Sequence, residues 1–307
     1  MMRFFLLLPA GAVGFYAVYS AVKYTRMITN IFLELKYRPT GEAMESTMGE
    51  KISILDSGDH EFEAILFEKS NAGKLMIFCH DSGSTKESWE KYAYFFPDLG
   101  FSVLSVDFSR KQDPDEKHSL SQWPTQEDVD RLLLVTRWAK NSFKEPLKIV
   151  LFGVSKGANI ALAASLRDAS VRGVVTDGLF SMKEIFRDYI RKWAPILVKP
   201  NLFGEKYPDW VVNLFTNLGF WYSQKKSGKV FIDVEKFLLK NHPSLCMIHG
   251  ETDDYVPSTH QKFLHGLGQK EASYKLVVPG AGHNEAVVLG QSAYEKTVID
   301  FLTKILH

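Results

Sequence analysis

Three observations predict an α/β chain with a mostly parallel, doubly wound sheet. From about residue 51 onward, short β-branched and apolar runs alternate with helical stretches. That is the pattern of a parallel sheet whose connecting helices cover both faces. Between about residues 179 and 242 the alternation stops, and a helical, aromatic stretch interrupts it as an insertion. The 307 residues are 45% hydrophobic and 24% charged, enough apolar material for a large buried core. A formal net charge of +1 gives no reason to expect nucleic acid as a partner.

At the N-terminus, Phe4 to Val22 carries no charge. Nineteen helical residues at ~1.5 Å rise span roughly a hydrocarbon core. Residues 1–26 therefore read as a single-pass transmembrane anchor, and 27–50 as a tether. A cleaved signal peptide is the rival reading, with Val18-Tyr19-Ser20 as a passable site. Lys23, Arg26, Lys36 and Arg38 outnumber Arg3, so the positive-inside rule leans towards a cytoplasmic domain; cleavage would instead make it secreted or periplasmic.

Residues 51–307 form the folded domain. Its strands are read at Ile52–Leu55, Glu61–Phe67, Lys74–Cys79, Phe101–Asp107, Lys148–Phe152, Val171–Thr176, Ser244–Ile248 and Tyr274–Val278. A helix over Lys86–Phe96 precedes the fourth. Pro124-Thr125-Gln126-Glu127-Asp128 opens another, with acids in its first turn, and Glu285 to Leu306 reads as one or two closing helices.

The strand at Lys148–Phe152 runs into Gly153-Val154-Ser155-Lys156-Gly157, and a helix rich in small residues follows. Strand, G-x-S-x-G, helix describes a turn so sharp that its serine stands out at the tip, free to attack an electrophile. Glycines flank the serine because a Cβ there would collide with the neighbouring strand and helix. Two later strands end in chemically suggestive loops, His249-Gly250-Glu251-Thr252-Asp253-Asp254-Tyr255-Val256-Pro257 and Pro279-Gly280-Ala281-Gly282-His283-Asn284. A serine hydroxyl needs a base to take its proton, and the base needs an acid to hold its other nitrogen. His283 is the candidate base. Asp253, Asp254 and Asp177 are candidate acids.

In their order and in register, these three motifs resemble the α/β-hydrolase superfamily, in its serine esterase and lipase-like members with a helical cap. The resemblance runs from about residue 50 to the C-terminus, weakly near 180–240. It implies Ser155 as nucleophile, His283 as base, and Asp253 as acid through the G-x-x-D-x-x-V-P position. It also implies an oxyanion hole made by the backbone N–H of Lys156, whose side chain would matter little, and of Ser82, with Gly83 the looser choice. In the family the loop at His80-Asp81-Ser82-Gly83 usually begins His-Gly, so Asp81 departs from the pattern and sets a carboxylate beside the hole. The insertion at 179–242 corresponds to a cap, and Trp210 to Trp221 is apolar enough to line an acyl pocket or to dock the cap.

The reading is then a membrane-anchored enzyme cleaving a carboxylic ester, with lipid esters among the candidates, and with no cofactor. The same triad also suits an acyltransferase, a thioesterase or a peptidase, and the same fold suits a binding protein. Cys79 and Cys246 lie in strands that are not neighbours, so no disulfide is expected. His80 and His249 lack metal-ligand spacing and read as structural residues of their loops, and no metal is expected.

Overall fold

The computed structural model describes residues 4–34, 47–55, 61–69, 73–110, 122–143, 147–199, 201, 203–240, 243–267 and 273–306. The side chains of 4–13 and 109–110 lie outside that description. The chain divides into two units. One joins residues 1–35 to 183–229, and the other holds 36–182 and 230–307.

The larger unit is built on an eight-stranded sheet: β1 (Glu50–Leu55), β2 (Glu61–Phe67), β3 (Lys74–Cys79), β4 (Ser102–Arg110), β5 (Lys148–Val154), β6 (Val171–Asp177), β7 (Ser244–Gly250) and β8 (Tyr274–Val278). The strand order is β1-β2-β4-β3-β5-β6-β7-β8. Only the β1/β2 and β2/β4 pairs are antiparallel; from β4 to β8 every pair is parallel. Its helices are α2 (Trp89–Ala93), α3 (Gln126–Ser142), α4 (Lys156–Ser165), α7 (Val234–Leu238), α8 (Ser258–Leu267), α9 (Ala286–Leu289) and α10 (Gln291–Leu306). Two apolar clusters result. Leu75, Leu151, Ala161 and Leu245 belong to one, and Phe78, Phe152, Ile248 and Phe301 to the other. Apart from Ala161 on α4 and Phe301 on α10, these residues come from opposite faces of the same strands, so the sheet is buried on both faces.

α3 starts where expected, and Thr125 caps it, its side chain accepting from Asp128 N–H while Asp128 accepts from Thr125 N–H. The helix expected over Lys86–Phe96 is broken instead. Lys86–Ser88 forms a 3-10 turn, α2 covers Trp89–Ala93, and Pro97–Leu99 forms a second 3-10 turn. Tertiary contacts override the local pattern there. Lys86 is buried, and its Nζ reaches Asp107 at 2.9 Å, Glu63 at 3.1 Å and Glu87 at 3.2 Å. Cys79 and Cys246 are free and buried, on strands that do not pair.

The smaller unit holds α1 (Phe4–Glu34), most of α5 (Met182–Leu197) and α6 (Asp209–Ser227). Here α1 runs straight through residue 26, the expected boundary between anchor and tether. The helix continues to Glu34 because Tyr24, Ile28, Thr29 and Phe32 are buried within the unit. Thr29 Oγ1 donates to Gly219 O at 3.3 Å, and the Phe32 and Phe186 rings meet edge-on at 4.6 Å. A cavity of about 230 Å³ lies between α1, α5 and α6, lined by Tyr24, Ile28, Ile190, Val211 and Phe215 among others. Among the described residues no helix is long and apolar enough to cross a membrane, so the transmembrane helix expected over residues 1–26 is not supported by the structure. Part of that stretch, and residues 35–46 of the expected tether, lie outside the described residues.

Candidate active site

The turn after β5 carries Ser155 at its tip, with φ 52° and ψ −114°. Positive φ is unfavourable for a residue with a Cβ and persists only where the surroundings impose it. The surroundings are tight. A Cβ on Gly153 would stand 2.3 Å from Gly157 O, and one on Gly157 would stand 2.0 Å from Cys79 O. Glycine at both positions lets the end of β3, the end of β5 and the start of α4 close on one another. Ser155 N–H donates to Asp177 O at 2.7 Å, pinning the turn to the next strand.

The loops after β7 and β8 bring the other two predicted residues to the serine. His283 Nδ1 lies 2.7 Å from Asp253 Oδ2, and His283 Nε2 lies 3.0 Å from Ser155 Oγ. An ionised carboxylate only accepts, so Nδ1 carries the proton and Nε2 accepts from the serine hydroxyl. Asp253 Oδ1 accepts the N–H groups of Tyr255 at 2.8 Å and Val256 at 2.7 Å. Burial works against the Asp253 anion, but the bond from His283 and the two backbone N–H groups outweigh it and hold the carboxyl below its ordinary value. Asp253 therefore stands as an anion beside the imidazole. The Tyr255 ring packs over His283 with centroids 5.1 Å apart.

The rival acids are placed elsewhere. Asp254 is exposed. Asp177 is buried and accepts from Tyr294 OH at 3.1 Å. Its pKa is pushed up to about 7, chiefly by burial, against the opposing effects of the Tyr294 bond and the His283 charge.

Of the two predicted oxyanion donors, Lys156 opens α4, where first-turn N–H groups lack intrahelical acceptors. Ser82 lies in the loop after β3, whose end packs directly on Gly157. The side chain of Lys156 departs from its expected indifference. It is buried, with Nζ 3.2 Å from Asp128 Oδ2, and so ties the start of α4 to the cap of α3. Asp81 turns neither outward nor into open space. One carboxylate oxygen accepts from Ser84 Oγ, and the other from Asn284 Nδ2 at 3.2 Å. Asn284 follows His283, with φ 61°, and its carbonyl accepts from Lys91 Nζ at 3.1 Å. The loop after β3 is thereby fastened to the histidine loop. Asn284, Asp128 and Tyr294 are the supporting residues that sequence reasoning missed. An Asn directly after the histidine was the available signal, because Asn tolerates positive φ.

His80 Nδ1 meets Asp81 O at 2.6 Å and His249 Nε2 meets Leu179 O at 2.9 Å, so both brace their loops. Burial holds the His249 ring below its ordinary pKa. No group of three or more metal-ligating side chains occurs among the described residues.

This strand order, with a strained serine at the turn after the fifth strand, defines an α/β architecture with the site at the C-terminal ends of its parallel strands. A sequence profile of the alpha/beta hydrolase family matches residues 76–298, and the chain belongs to that family. An uncharacterized protein of Mycobacterium tuberculosis is 22% identical over 244 residues, covering 76% of this chain and 71% of its own length. Among solved structures, the Pyrococcus furiosus esterase Pf2001 superposes with a TM-score of 0.61 at 17% identity, over 89% of this chain and 98% of that one. The thermophilic esterase Est2 of Thermogutta terrifontis gives 0.59 at 15% identity, over 89% and 96%. The Penicillium alpha/beta hydrolase GrgF gives 0.57 at 17% identity, over 83% and 98%. At these identities the likeness is one of fold.

Proposed function

We propose that the protein is a serine hydrolase that cleaves carboxylic esters. The observation that carries this reading is the hydrogen-bonded chain Ser155–His283–Asp253 on a strained, glycine-walled turn. His283 takes the Ser155 proton as Oγ attacks the acyl carbonyl, and Asp253 stabilises the imidazolium that forms. The N–H groups of Lys156 and Ser82 hold the oxyanion. His283 returns the proton to the leaving alcohol, and water, activated by the same histidine, then frees the acid from the acyl-enzyme. No cofactor enters the scheme. The esterases of like fold support an ester substrate, and the apolar start of α1 supports attachment to a membrane.

The test is fluorophosphonate labelling of the full chain in mild detergent, wild type against Ser155→Ala, alongside turnover of short-chain aryl esters. Labelling and turnover confined to the wild type are expected. Absence of both from folded wild-type protein, or their retention in Ser155→Ala, would sink the assignment.

A further inference from the structure

The six tryptophans of the chain are sharply partitioned. Trp193, Trp210 and Trp221 lie in the smaller unit and are 37%, 65% and 57% exposed. Trp89, Trp123 and Trp138 lie in the larger unit and are buried or half-buried. On α6, Trp210, Leu214, Asn217, Trp221 and Lys225 follow at intervals of four, three, four and four residues, a single exposed stripe at helical periodicity. On α1, Phe15, Tyr19, Val22 and Arg26 form a second exposed stripe on the same spacing. The two helices run side by side in one direction: Ile28 shares a cavity wall with Val211 and Phe215, Thr29 meets Gly219, and Asn30 accepts from Lys226 Nζ at 2.7 Å. Each stripe starts aromatic and ends in a cation along its own helix.

Charge is partitioned too. The smaller unit contains twelve lysines and arginines against five aspartates and glutamates, although the whole chain is balanced to +1. Large apolar side chains left in water are common singly, but a run of aromatics with cations at one end and a local excess of positive charge is not. Trp and Tyr rings favour the boundary between headgroups and acyl chains, where long basic side chains keep their charge in water and meet lipid phosphates. Lys225 Nζ already lies 5.3 Å over the Trp221 ring, and Lys192 Nζ 5.6 Å over Trp193.

We infer that the exposed face of α6, with its neighbour on α1, docks on a bilayer surface bearing anionic lipids, as an in-plane contact. This contact needs neither a membrane-spanning α1 nor hydrolytic activity. The test is flotation of the full chain with vesicles of phosphatidylcholine alone or mixed with phosphatidylserine, together with quenching of tryptophan fluorescence by brominated phosphatidylcholine. Wild-type protein should bind the mixed vesicles more tightly, lose affinity with salt, and be quenched. Trp210→Ser/Trp221→Ser should weaken binding about tenfold or more, and Lys225→Gln about fivefold, the worth of one cation at such a surface. Trp210 and Trp221 are exposed rather than enclosed in an acyl pocket, one of the two roles expected of that stretch, so both variants should keep the thermal stability and the turnover of short soluble esters, which separates this inference from the reading of Ser155. Unchanged vesicle binding in the double variant, absence of quenching, or burial of these tryptophans in a dimer formed without lipid would each overturn it.

Discussion

Replacing Lys156 by Met keeps the length of the side chain and removes its charge from a buried pair. Lys156 Nζ and Asp128 Oδ2 are 3.2 Å apart, and both residues are buried. At an effective dielectric of ~20 their attraction is about 5 kcal/mol, and breaking a buried pair from one side costs ~3–5 kcal/mol because the remaining charge is stranded. At roughly 2–4 °C per kcal/mol for a large domain, the melting temperature should fall by ~6–20 °C. The pH dependence gives a sharper check. In the wild type, burial opposes the Asp128 anion, but the Lys156 charge and the bonds from Thr125 outweigh it, and the carboxyl is held below its ordinary value. A depressed folded value supplies stability above the unfolded value of about 4, lost as pH falls through the folded one. Without Lys156, burial is opposed only by the bonds from Thr125, so the folded value rises and the stability lost on acidification shrinks. The variant should therefore lose less stability than the wild type as pH falls below about 4. Thermal melts at a series of pH values read both quantities. A loss below about 2 °C, or parallel pH profiles for the two proteins, would refute the buried-pair argument.

Other outcomes follow from the same geometry. Asp253→Asn should leave the fold intact and lower kcat by about 10⁴ by favouring the wrong tautomer of His283, measured on aryl esters against wild type. Asp177→Asn should remove a pH dependence: burial raises this carboxyl to about 7, so its contribution is fully present below pH ~4 and lost as pH rises through 7. The variant should therefore melt higher than wild type at pH 8, and equal or lower melting would contradict the assignment. Asp81→Ala cuts the tie to Asn284 and should lower kcat about tenfold with little change in KM, with a stability loss of ~1–3 kcal/mol. An unchanged kcat would mean that the two loops hold their places without it.

The strands were legible because β3, β5, β6 and β7 are short apolar runs ending in glycine, aspartate or histidine, and parallel pairing then carries several of them a residue or two further. The Ser155, Asp253 and His283 loops were legible because each follows such a run. The surroundings of Lys156 were not, because Asp128 lies 28 positions earlier and meets it only through the packing of α3 on α4. Asp81 and Asn284 are likewise joined across 203 positions by the closing of two loops, which no local pattern reports. The break in the helix after Lys86 belongs to the same class, a local preference overruled by charges on β2 and β4. The continuation of α1 past residue 26 was hidden because Thr25, Thr29 and Asn30 interrupt an apolar reading, yet Thr29 finds its partner on α6.

That continuation bears on how the protein can be cut. The beginning of the chain and the stretch from 183 to 229 are halves of one small body, so trimming the apolar leader at residue 26 to improve handling would remove Tyr24 and its bonds with the Lys199 backbone, and would leave Ile28 and Phe32 on a helix shortened to a stub. A shortened protein that precipitated would be reporting an opened helical pair. The leader is part of the architecture of the smaller unit, and a cut through it is a cut through a folded body.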